Sequence, residues 1–65
     1  MLERIVILGG GESGTGAALL AKVKGYDVFV SDQSQLKDKY KIELTQNQIP
    51  FEEGSHTESL ILNAK

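Results

Sequence analysis

Five glycines fall within the eight positions Gly9-Gly10-Gly11-Glu12-Ser13-Gly14-Thr15-Gly16. Glycine is kept at such density where a backbone bends sharply or approaches another group closely. Gly9, Gly11 and Gly14 fit the spacing G-x-G-x-x-G. In that pattern the first glycine makes a tight turn, the second lets the backbone approach a diphosphate, and the third lets a helix lie against a strand. The chemistry on offer is anion binding, because the free N–H groups at a helix start, with the helix dipole behind them, attract a phosphate. The plainer alternative is that the glycines close a turn and hold nothing. A Walker A loop is excluded, since Thr15 stands where that loop needs a lysine.

Asp32 follows Gly14 by 18 positions and Gly11 by 21. A dinucleotide-type site places an acid there to accept hydrogen bonds from a ribose or a base, although a turn or cap aspartate is the alternative. Gln33 and Ser34 carry no charge, so a 2′-phosphate would meet Asp32 without an arginine, which disfavours NADP. Glu12 is discordant, because a carboxylate in a phosphate loop must point away or weaken binding. Ser13 and Thr15 each offer a hydroxyl to a phosphate or to the helix end, the ligand role being preferred for Ser13. No base stands beside either, so no nucleophile is indicated. Adjacent Glu52 and Glu53 point to opposite faces of a strand, which a general acid/base pair cannot use. They read as solvated or edge-protecting charges. His56 reads as an exposed loop or first-turn histidine without partners for a metal, and Lys37, Lys39 and Lys41 as surface.

These residues need a frame. Ile5-Val6-Ile7-Leu8, apolar throughout and largely β-branched, predicts a strand buried on both faces. Ala17 to Val23 predicts a helix that ends at Gly25, with Lys22 and Lys24 suiting its last turn. Gly14, Ala17 or Ala18, and Ala21 form a nearly side-chain-free stripe that can lie close to a sheet. Val28-Phe29-Val30, closed by Ser31-Asp32, predicts a second strand and completes a right-handed βαβ unit. Leu36, Tyr40 and Leu44 mark a second helix, with Ile42 off the stripe. Ile49-Pro50-Phe51-Glu52 predicts a third strand, with Pro50 at its start or on an edge. Ser55-His56-Thr57-Glu58 has capping-box spacing ahead of a third helix running to the end, and Asn63-Ala64-Lys65 should lead towards a fourth strand. The alternation predicts an α/β, Rossmann-like, three-layer βαβαβα domain over residues 1–65, with a short parallel sheet.

Composition limits the partners. The chain has 65 residues, 40% apolar and 25% charged, and a domain of that size buries only ~60% of its unfolded surface. It has no cysteine and one histidine, so neither a disulfide scaffold nor a cysteine-ligated zinc module is possible. A net charge of −2 argues against nucleic acid. No apolar run approaches the ~20 residues of a membrane span, and the start is too short for a secretory leader. The expected location is the cytoplasm, away from membranes.

The run Ile5-Val6-Ile7-Leu8-Gly9-Gly10-Gly11-Glu12-Ser13-Gly14-Thr15-Gly16-Ala17-Ala18, then Val28-Phe29-Val30-Ser31-Asp32, then Glu52-Glu53-Gly54-Ser55-His56-Thr57-Glu58, resembles the amino-terminal domain of the Mur ligases over essentially the whole chain. The resemblance implies a fragment of a three-domain, ATP-dependent ligase of peptidoglycan precursor synthesis, in which this domain binds the UDP part of a nucleotide-sugar peptide. The implied ligand is UDP-N-acetylmuramoyl-L-alanine, with Glu12, Ser13 and Gly14 along the diphosphate beside Gly11, and Asp32, Gln33 and Ser34 at the uridine end. The family's Ser-Pro-Gly loop, its G-K-[ST] loop, its carbamylated lysine and its magnesium ligands have no counterpart in the 65 residues. ATP and magnesium are thus implied for a parent enzyme, while the chain itself is expected to hold no cofactor and no catalytic or metal-binding residue. The expected partners are the remaining ligase domains, or a second copy through an open sheet edge. The rival is a NAD-binding module of a dehydrogenase or a regulatory subunit.

Overall fold

The structure is a computed structural model and describes residues 2–62. Three strands alternate with three helices: β1 (Arg4–Leu8), α1 (Glu12–Val23), β2 (Asp27–Asp32), α2 (Asp38–Gln46), β3 (Phe51–Glu53) and α3 (Glu58–Leu62). The strands form one parallel sheet in the order β1-β2-β3, a small Rossmann-like α/β arrangement. The expected approach to a fourth strand, Asn63 to Lys65, lies outside the described residues.

Register decides which side chains share a face. Ile5 pairs with Val28, Ile7 with Val30, and Val30 with Phe51, so these side chains stand on one side of the sheet. Ala18 of α1, Leu36, Leu44 of α2 and Ile49 pack there with Val28 and Val30 to make the core. On α1 the small stripe therefore runs through Gly14, Ala18 and Ala21, while Ala17 is exposed. Ile42, off the apolar stripe of α2, is exposed as its position predicts.

The buried strand is β2, not β1. Among the described residues β1 has a neighbour on one side only, and Leu8 at its end is 63% exposed. A continuous apolar run carries no information about which strand is central, and strand order placed β2 between two partners. Val28, Phe29, Val30 and Ser31 are accordingly all buried.

Both long helices end in a reversed turn that aims the next strand. Gly25, at φ +93°, donates to Lys22 O at 3.0 Å while Tyr26 donates to Ala21 O at 3.1 Å, the paired bonds of a Schellman cap. α2 ends in the same way without glycine, through Gln48 at φ +59° and the bond from Ile49 N–H to Leu44 O at 2.9 Å. Pro50 stands just before β3, where its missing N–H is harmless and its carbonyl accepts from Val30 N–H at 3.1 Å. No helix of the described residues is long and apolar enough to cross a membrane.

Candidate functional site

The carboxyl ends of the three strands gather every residue singled out for chemistry, as open α/β sheets tend to do. Gly9, at φ +106°, turns the chain out of β1, and its N–H donates to Ser31 O on β2 at 2.7 Å. Gly11 is the N-cap of α1, in extended backbone. The first N–H in this turn to find a carbonyl is that of Thr15, to Gly11 O at 2.8 Å. Those of Gly11, Glu12, Ser13 and Gly14 reach no acceptor among the described residues. They are the four orphan donors of a helix start, at the positive end of a 12-residue helix.

The glycines divide by purpose. A Cβ on Gly14 would run into the Gly9 carbonyl, and one on Gly10 into Leu36 Cδ2 and Val30 Cγ1. Gly14 is thus demanded by backbone that cannot move aside, whereas at Gly10 the crowding is with side chains of the core. A Cβ on Gly11 would meet nothing within 4 Å, so the fold gives no reason for its absence. Gly10, outside the G-x-G-x-x-G spacing, was not distinguishable in sequence from its neighbours.

Thr15 is fully buried and gives its hydroxyl to Gly10 O at 3.0 Å. Of the two hydroxyls weighed for a phosphate, it is the one the fold has used, whereas Ser13 is exposed. Glu12 is also exposed, in the first turn of α1, where a carboxylate favours the dipole.

Asp32 does unexpected structural work. Its Oδ2 accepts from Gly10 N–H at 2.7 Å and its Oδ1 from Ser34 N–H at 2.8 Å. One carboxylate thus ties the glycine loop to the end of β2 and shapes the turn that follows. These bonds, Gly10's above all, hold its carboxyl below the ordinary value of 3.8. Gln33 and Ser34 are exposed beside it.

Glu52 and Glu53, half-buried on a strand paired on one side only among the described residues, are more than solvated or edge-protecting charges. They lie on opposite faces as the strand period requires, but each closes a loop. Glu53 Oε1 accepts from Leu36 N–H at 2.8 Å and Oε2 from Lys41 Nζ at 3.1 Å. Glu52 accepts from Thr57 N–H at 2.7 Å, Thr57 Oγ1–H at 2.6 Å and Ser31 Oγ–H at 2.8 Å. The Thr57 bonds depress the pKa of Glu52, and the Leu36 N–H followed by Lys41 depress that of Glu53. β3 covers Phe51–Glu53 rather than starting at Ile49, which puts both acids at the strand exit, where backbone donors are plentiful.

His56 is exposed, as expected, but partnered. Its Nδ1 lies 2.6 Å from Ser31 Oγ, within hydrogen-bond distance. The capping box does not form. Thr57, not Ser55, precedes the first helical residue, and its carbonyl accepts from Leu60 and Ile61. Because Glu52 already satisfies Thr57, the cap is built across sequence instead of within it. Ser31 was missed by sequence reasoning. A small hydroxyl within a buried strand rarely lacks a partner, and that was the available signal.

Three depressed carboxyls give a pH dependence with a definite sign. Their charged forms are bonded in the folded chain, so the stabilisation is complete above the unfolded values of 3.8 and 4.5. It is lost as pH falls through the lower folded values. Urea midpoints should hold steady near neutrality and decline below about pH 5. A midpoint unchanged at pH 3 would contradict these bonds.

No group of three or more metal-ligating side chains occurs among the described residues. Two open grooves among the described residues lie elsewhere, one of about 450 Å³ lined by Thr45, Gln48, Ile49, Pro50 and Phe51, the other of about 230 Å³ along Lys41, Ile42, Thr45 and Gln46. Neither includes the glycine loop or Asp32, so volume and chemistry point to different places. The chemistry is the better guide, because a phosphate held by exposed N–H groups needs no cavity.

Comparison with known proteins supplies the family. The model of the MurD N-terminal domain matches residues 4–63. The chain is 67% identical over 63 residues to the UDP-N-acetylmuramoylalanine--D-glutamate ligase of Bacteroides thetaiotaomicron, covering 97% of the chain and 14% of the relative. It is 62% identical over 61 residues to the ligase of that name from Porphyromonas gingivalis, covering 94% and 14%, and 57% identical over 65 residues to that of Cytophaga hutchinsonii, covering 100% and 14%. It thus spans about a seventh of the length of these relatives. No solved structure matches the chain. Glycine loop, strand-end acid, parallel sheet and family match agree, and the chain belongs to the MurD N-terminal domain family.

Proposed function

We propose that this chain is the domain that anchors the uridine diphosphate of UDP-N-acetylmuramoyl-L-alanine in a D-glutamate ligase of peptidoglycan precursor synthesis. The observation that carries the reading is the set of four unpaired N–H groups, Gly11 to Gly14, at the start of α1. The space a Gly11 side chain would occupy is left open beside them. A diphosphate satisfies such donors, and the exposed turn at Asp32, Gln33 and Ser34 is within reach for a ribose or a base. The family match supports this ligand over NAD.

The parent reaction would activate the substrate carboxylate as an acyl phosphate and couple it to D-glutamate. The residues of this chain do not fit ATP and magnesium: the loop has Thr15 where a phosphate-reaching lysine belongs, and no metal-ligating cluster forms among the described residues. Its own task is binding and orientation, in a cytoplasmic enzyme whose other domains would carry the chemistry.

Titration of the ¹⁵N-labelled chain with UDP-N-acetylmuramoyl-L-alanine should shift the amides of Gly11 to Gly14 and of Asp32 to Ser34. Shifts there with NAD alone would overturn the reading. Gly11→Ala, at a φ of −74° that alanine adopts freely, should change stability by less than ~1 kcal/mol. It should weaken the ligand about tenfold by placing a methyl where the diphosphate approaches.

A further inference from the structure

We propose that Glu53, with the Gly54 amide, is a positioning residue for the nucleotide site, acting through the turn after β2. This rests on the nucleotide reading above. The turn from Asp32 to Leu36 is exposed through Gln33, Ser34 and Gln35, and a stretch of that kind has no apolar anchor of its own before Leu36. Three hydrogen bonds hold it: Ser34 N–H to Asp32 Oδ1 at 2.8 Å, Gly54 N–H to Ser34 O at 3.1 Å, and Leu36 N–H to Glu53 Oε1 at 2.8 Å. Two of the three come from the exit of β3, where Gly54 at φ +83° turns its N–H onto the Ser34 carbonyl.

Asp32 and Glu53 are register partners on neighbouring strands, so two carboxylates stand side by side on one face. Like charges directly opposite are unfavourable. The arrangement persists because Gly10, Ser34, Leu36 and Lys41 donate to the pair. An apolar residue at position 53 would avoid the repulsion and lose the bond to Leu36. Glu53 therefore holds the uridine-side turn in its bound shape before the ligand arrives, and it gives no bond to the diphosphate loop, which is held through Gly9 to Ser31 and Gly10 to Asp32.

That separation supplies the test. Uridine diphosphate and inorganic pyrophosphate are titrated by NMR against the wild-type chain, Glu53→Ala and Glu53→Gln. Releasing the turn leaves only a fraction of molecules in the binding shape, and apparent affinity falls by that fraction. Glu53→Ala should lose about fivefold or more in uridine diphosphate affinity while binding pyrophosphate as the wild type does. Glu53→Gln keeps an acceptor for Leu36 N–H and should restore most of the loss. Equal uridine diphosphate affinity in wild type and Glu53→Ala would overturn the inference alone, as would parallel loss of both ligands. A wild-type chain that binds neither ligand would overturn the nucleotide reading and this inference with it. If Glu53→Ala does not fold, Glu53→Asp, one methylene short of Leu36, should show the same split.

Discussion

Gly14→Ala should abolish cooperative unfolding of this chain, or lower its stability by about 3 kcal/mol or more. The methyl would be driven into the Gly9 carbonyl, with Gly9 C only 2.8 Å away. These are backbone atoms and cannot rotate aside. Relief requires α1 to lift from β1, which opens the core at Ala18 and Val28. A domain of this size has only ~3–10 kcal/mol in total, so the loss is a large share of it. Urea unfolding followed by far-ultraviolet circular dichroism decides the matter, and a midpoint within experimental error of wild type would show that the helix can shift without cost. The contrast with Gly11→Ala separates the glycine that serves the fold from the glycine that the proposed nucleotide reading assigns to the ligand.

The second large effect is expected at Asp32. Asp32→Ala leaves Gly10 N–H, at a buried position, without an acceptor, and also frees Ser34 N–H. Losing a charge-assisted bond to a buried donor costs ~1–3 kcal/mol, so the variant should unfold at clearly lower urea. It should also weaken uridine diphosphate, because the turn and the glycine loop both lose their tie. Asp32→Asn keeps one acceptor oxygen and should recover part of the stability. If Asp32→Ala unfolds as the wild type does, Gly10 N–H has found another partner and the structural role assigned to Asp32 falls.

Much of this was legible in the sequence because it rests on local rules. The period of apolar residues and the placement of Gly25 and Pro50 gave the elements, and the glycine spacing located the turn at the start of α1. What could not be read was set by pairing across the chain. That β2 is central among the described strands follows from strand order, to which the run Ile5 to Leu8 is blind. That Glu52 and Glu53 are bonded follows from where β3 ends relative to Thr57 and Leu36, contacts separated by 5 and 17 positions. The capping box failed for the same reason, since a carboxylate from the preceding strand had already taken Thr57.

Asp32 holds the fold with the same carboxylate that the proposed nucleotide reading sets beside the ligand. On that reading, any substitution without a side-chain acceptor at this position also leaves Gly10 N–H unpaired, so specificity here has few single replacements open to it. A lineage that changed ligand at this position would first need a second acceptor for that amide. The bond from Gly10 to Asp32 thus works as a brake on the evolution of the site.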